Sequence, residues 1–169
     1  MVVNSDMNKV EQSYFHSNKR LNGLPTLGER NNNPLNIRKN SANNWQGKVD
    51  SDNAFEKFTS TVFGIRAGLI ILRNYRKTYG LNTLAQIIER FSPTVGSVDG
   101  KEYFNNTSNY ILFVAGKSGI GAFQSFDFTP DNLLPIVQSM AFFESGYVLS
   151  ASEFSSAWML AFPVGTGLN

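Results

Sequence analysis

A chain of 169 residues, 41% hydrophobic and 17% charged, has the size and composition of one globular domain with one core. Its formal net charge of +2 argues against the dense basic stripe of a nucleic-acid binder, so nucleic acid is not an expected partner. With no cysteine there is no disulfide framework, no thiolate nucleophile and no Cys-ligated metal.

Residues 1–27 are polar and irregular, with a helical turn or two at most between Val10 and Phe15, and read as an N-terminal arm. The opening Met1-Val2-Val3-Asn4-Ser5-Asp6 lacks a basic stretch followed by an apolar one, so no secretory leader is expected. The longest apolar run, Gly68–Leu72, is too short to span a bilayer, and no membrane insertion is expected. The domain proper is expected over residues 28–162, with 163–169 as a tail. Leu35–Arg38, Trp45–Val49 and Phe55–Phe58 alternate at period two and predict short strands or a small hairpin flap, with a turn at Ser51-Asp52-Asn53. Ser60 is placed to cap a helix reaching Tyr79, with Val62, Ile65, Leu69, Leu72 and Tyr75 at helical spacing and Gly80 as its stop. Thr83 caps a second helix, Leu84–Phe91, which Ser92-Pro93 ends. Residues 94–106 read as a polar loop, Ser108–Ser118 as a helix and Gly119–Phe128 as a loop. Thr129-Pro130-Asp131 opens a helix that runs to Glu144 and stops at Ser145-Gly146; a last helix covers Ala151–Phe162. The pattern is mainly α, an α+β chain with a small β component.

Elimination narrows the chemistry. His16 is the one histidine, so a zinc site lacks ligands and a Ser-His-Asp triad would depend on the least regular segment. No metal or cofactor is expected. Gly116–Gly121 lacks the order of a nucleotide-binding loop. Carboxylates remain. Leu133, Val137, Met140 and Ala141 make one apolar stripe, and Glu144 continues it. Apolar neighbours and the unpaired carbonyls of a last helical turn both disfavour its charge. A raised pKa is what a general acid for a glycosidic oxygen requires near neutral pH. The alternative is a helix-end Glu in solvent or paired with an Arg. Glu89 falls on a polar face, and Glu11, Glu102 and Glu153 lie in polar surroundings. Glu29, just before an Asn-rich loop, is the rival acid.

Two segments resemble known enzymes. Gly28-Glu29-Arg30-Asn31-Asn32-Asn33-Pro34-Leu35-Asn36-Ile37-Arg38, then Trp45-Gln46-Gly47 and Phe55-Glu56-Lys57-Phe58, is similar to a segment of glucosaminidases and of phage proteins related to peptidoglycan hydrolases. Ile136–Gly146, closing on Glu144-Ser145-Gly146, resembles the catalytic helix of lytic transglycosylases and glucosaminidases. In those families the helix precedes the Asn loop; here it follows, which implies a circularly permuted lysozyme-like domain with Glu144 beside the loop in space. The resemblance implies a glycosidase acting on peptidoglycan strands: a muramidase, lytic transglycosylase or glucosaminidase. It implies a phage protein, held in the virion or the host cytoplasm before delivery to the cell wall, with other virion proteins as further partners. A non-catalytic virion protein using the same fold as a scaffold or wall-binding module is the alternative. Under this reading Asn32, Asn33, Asn36, Arg38, Trp45, Tyr103, Tyr110 and Ser145 are candidate substrate contacts. For any one Asn, capping of local backbone is at least as good an explanation. Trp45 and the two tyrosines fit core packing equally well. Asp50, Asp52 and Glu56, on the expected flap, are candidates for a second carboxylate.

Overall fold

The computed structural model describes residues 23–51, 54–98 and 100–165, so Val10–Phe15, Glu11, His16 and Asp52 lie outside the described residues. Helix α1, Leu27–Arg30, is a single turn fixed by a capping box: Thr26 accepts from Glu29 N–H, and the Glu29 carboxylate accepts from Thr26 N–H at 2.7 Å. Strands β1, Lys48–Val49, and β2, Lys57–Phe58, pair antiparallel in the register Lys48–Phe58 and Val49–Lys57. An isolated bridge between Arg38 and Phe55 ties this flap to the Asn-rich segment. Next come α2, Thr61–Tyr79, and α3, Leu84–Phe91. Strands β3, Val95–Val98, and β4, Lys101–Phe104, form a second antiparallel hairpin. Helices α4, Thr107–Ser118, α5, Pro130–Ser145, and α6, Ala151–Ala161, complete the order. The fold is mainly helical with small antiparallel hairpins, as the sequence pattern predicts. Among the described residues no helix is long and apolar enough to cross a membrane.

The helices assemble through the stripes read from the sequence. α2 packs along α6, α4 along α5, and α3 against α4. Ile65, Leu69 and Leu72 from α2 join one core with Leu84 and Ile88 from α3, Val114 from α4, and Leu133, Val137 and Met140 from α5. Full burial of each such side chain contributes roughly 1.5–3 kcal/mol, so the apolar faces set how the helices lie. Two glycines one turn apart on α2 set the place of the Asn-rich loop. A Cβ on Gly64 would lie 2.2 Å from the Asn32 carbonyl oxygen, and one on Gly68 would lie 2.2 Å from Leu35 Cδ1. The loop backbone therefore rests directly on the helix.

Three expectations need correction. Leu35–Arg38 is not a strand: Asn36 has φ +47°, and only the bridge at Arg38 is extended pairing. The left-handed conformation breaks the period-two pattern, and Asn tolerates it better than most residues. Residues 94–106 are not a loop but carry the β3–β4 hairpin, in which Val95–Val98 pairs with Lys101–Phe104; the sequence signal is the Asp-Gly dipeptide, common in hairpins. Ser60 stands at the N-cap of α2 but makes no side-chain cap bond, whereas Thr83, Thr129 and Ser150 cap their helices as such residues do.

Candidate functional site

The C-terminal end of α5 meets the Asn-rich loop. Thr129 caps α5 at one end, and Gly146 closes it in the left-handed conformation at the other. The stripe Leu133–Val137–Met140–Ala141 points into the core, and Glu144 follows it there, 3% exposed. The loop is locked against this helix end at three points. Asn36 Nδ2 donates to the Glu144 carbonyl at 2.6 Å. Ser145 Oγ donates to the Pro34 carbonyl at 2.8 Å. Gly28 of α1 lies so close that a Cβ there would be 2.5 Å from Ser145 Cβ. Residues 108 positions apart are thereby brought together.

Burial pushes the Glu144 carboxyl up to about 7. The Tyr110 hydroxyl, the Asn36 amide and the more distant charge of Arg38 oppose that rise without cancelling it. The acid is therefore largely protonated at slightly acidic pH and exchanges its proton near neutrality. It faces a cavity of about 160 Å3. The polar wall comes from Asn36 and Arg38 of the loop, Tyr103 and Asn105 of the hairpin region, and Tyr75 of α2; Ile71 and Phe91 are its apolar part.

Of the residues singled out by sequence, Glu144, Asn36, Arg38 and Tyr103 meet at this cavity. The others are placed elsewhere, each for a local reason. Asn33 is fully buried: its Nδ2 donates to the carbonyls of Ile37 and Glu56, and its Oδ1 accepts from Ile37 N–H. Asn32, with φ +50°, donates to the Phe58 carbonyl at 2.9 Å. Both amides serve the loop's own backbone. Ser145 is fully buried and bonded to Pro34 and Ala141. Tyr110 is buried behind Glu144, stacked on Phe143 at a centroid distance of 4.1 Å. Trp45 packs partly buried against the core. The rival Glu29 spends its carboxylate on the α1 capping box. Glu56 is buried beside Lys48, and Asp50 is exposed on the flap, so neither stands in the cavity wall.

Asn105 and Tyr75 were missed. Helical spacing assigns Tyr75 to the apolar face of α2, yet it sits where that face borders the cavity. Asn105 donates to the Pro93 carbonyl at 2.9 Å, while its Oδ1 is buried without a hydrogen-bond partner among the described residues. An orphan acceptor in a cavity wall is costly to the fold and ready for a ligand donor. Among the described residues no cluster of three or more His, Cys, Asp or Glu could hold a metal.

Fold and cavity together define a mainly helical domain with one buried, proton-holding carboxyl at a helix end and an amide, a guanidinium and phenols around it. No family model matches the chain. Over 124 residues it is 42% identical to protein P5 of Pseudoalteromonas phage PM2, an alignment covering 70% of this chain and 71% of that protein. The chain belongs to the family of that bacteriophage protein.

Proposed function

We propose that the chain is a phage-encoded glycosidase that cleaves the glycan strands of bacterial peptidoglycan, with Glu144 as general acid. The observation that carries the reading is the carboxyl itself: 3% exposed, held near pKa 7, and facing a cavity lined by Asn36, Arg38, Tyr103 and Asn105. In its neutral form Glu144 gives its proton to the glycosidic oxygen as the bond to the anomeric carbon breaks, and leaves as a carboxylate. Asn36 fixes the helix end that carries it, and Tyr110 steadies the carboxylate that results. Among the described residues the cavity wall holds no second carboxylate, so the second half of the reaction falls to water or to a hydroxyl of the substrate. The segment order, loop first and acid helix last, corresponds to a circularly permuted lysozyme-like domain.

The test is digestion of purified sacculi, with mass spectrometry of the soluble fragments. Wild type is expected to release muropeptides, and Glu144→Gln to release them about 10²–10⁴-fold more slowly. Anhydro-muramyl ends would indicate transglycosylation; reducing muramic acid or glucosamine ends would indicate the two hydrolases. A wild-type protein that only co-sediments with sacculi would overturn the catalytic reading in favour of a wall-binding virion component.

A further inference from the structure

Arg38 differs from the two amides of the cavity in the number of donors it leaves unspent. Asn36 is committed to the carbonyl of Glu144, and the amide nitrogen of Asn105 to the carbonyl of Pro93. A guanidinium carries five N–H donors, and among the described residues that of Arg38 has no hydrogen-bond or ion-pair partner. Two rings hold it instead: its Cζ lies 4.8 Å from the Tyr103 ring centroid and 5.3 Å from that of Phe55. A guanidinium held by aromatic rings rather than by hydrogen bonds keeps its N–H donors for an acceptor.

The support around it is built into the fold. Arg38 pairs with Phe55 across the backbone bridge, which fixes where its side chain starts. Tyr103 reaches across its own hairpin over Gly96, where a Cβ would lie 2.1 Å from the ring. Any larger residue at position 96 would displace the ring that holds the guanidinium. A cation pre-positioned this way suits a ligand group with negative charge and two coplanar oxygens, while the acceptor of Asn105 calls for a donor, such as a hydroxyl or amide N–H, on the same ligand. The cavity volume of about 160 Å3 is below the roughly 300–1,000 Å3 of sites that enclose a whole small ligand. It suits one substituent of a longer strand.

We infer that Arg38 is the carboxylate-recognising residue of this cleft, so that the site selects glycans bearing an acidic substituent, such as the lactyl group of muramic acid, over neutral amino-sugar strands. The inference rests on the glycan-cleaving reading and names its specificity. A lysine at this position would keep the charge and lose the two-pronged geometry.

The experiment is NMR-monitored binding of three sugars to the Glu144→Gln protein: N-acetylmuramic acid, its lactyl methyl ester and N-acetylglucosamine. The acid is expected to bind about tenfold or more tightly than either neutral sugar, the loss typical of one charge-assisted hydrogen bond. Adding Arg38→Gln is expected to abolish the preference, and adding Arg38→Lys to keep only part of it, with unchanged circular dichroism in both. Equal binding of acid and ester, or a preference that survives Arg38→Gln, overturns the assignment. If wild type digests sacculi while that result is obtained, the glycosidase reading stands and only the role of Arg38 fails. If wild type releases no fragments and no sugar binds, both fail together.

Discussion

Glu56 and Glu144 are both withdrawn from solvent, at 0% and 3% exposure. In the flap, Glu56 has a cation in contact: Lys48 Nζ lies 3.1 Å from Oε1, and the same oxygen accepts from Asn40 N–H at 3.1 Å. At the end of α5, Glu144 has a phenol and an amide beside it, with the charge of Arg38 acting from farther off. Contact with a cation and a backbone donor makes the first acid a fastener, joining β1 to the loop that precedes it. Neutral partners let the second keep its proton up to about pH 7. Two acids of equal burial thus serve different ends because of the charge on their nearest neighbours.

The contrast can be broken from either side. Lys48→Met would leave Glu56 buried without its cation, and is expected to destabilise the fold by about 3 kcal/mol in urea unfolding. Glu144→Gln should do the opposite, in a pH-dependent way. The folded-state value of about 7 lies above the ordinary 4.5. Wild-type stability is therefore fullest below the unfolded value and falls as pH rises through the folded one. Glutamine does not titrate. The variant should gain on wild type by about 3 kcal/mol in total between the two pH values and by no more above them. Unfolding measured at pH 4, 6 and 8 checks the trend.

Two smaller changes sharpen the comparison around Glu144. Gly28→Ala would press a methyl group against Ser145 and move α1 and the Asn-rich loop off the end of α5. A loss of about 1–3 kcal/mol is expected, together with slower release from sacculi, because the acid's surroundings come apart. Tyr110→Phe removes a hydroxyl that favours the carboxylate, so the Glu144 pKa should rise further and activity should extend to higher pH. Its stability cost should be near 1 kcal/mol, seen in the same unfolding assay.

The acid was readable because a helix stripe is local. Leu133, Val137 and Met140 at helical spacing place Glu144 inside, and Gly146 marks where the helix must end. The meeting of Asn36 with Glu144 spans 108 positions, and no local spacing encodes it; the expectation came from resemblance alone. The Asn amides were harder to read because two constraints overlap. Asn32 and Asn36 sit at positive φ, where their conformational tolerance already accounts for the residue type. The inward turn of Glu56 was in the sequence: it shares period-two parity with buried Phe58, although β2 itself begins at Lys57. Gly64 and Gly68, four apart on α2, were a further unread sign that a backbone lies on that helix.

The carboxyl of Glu144 can be titrated directly, by carbon-detected NMR of glutamate-labelled protein, with Glu144→Gln assigning the resonance. A carboxyl changing protonation close to pH 7 is the expected result. One that titrates near 4.5, like an exposed glutamate, would contradict the buried general acid on which the account rests.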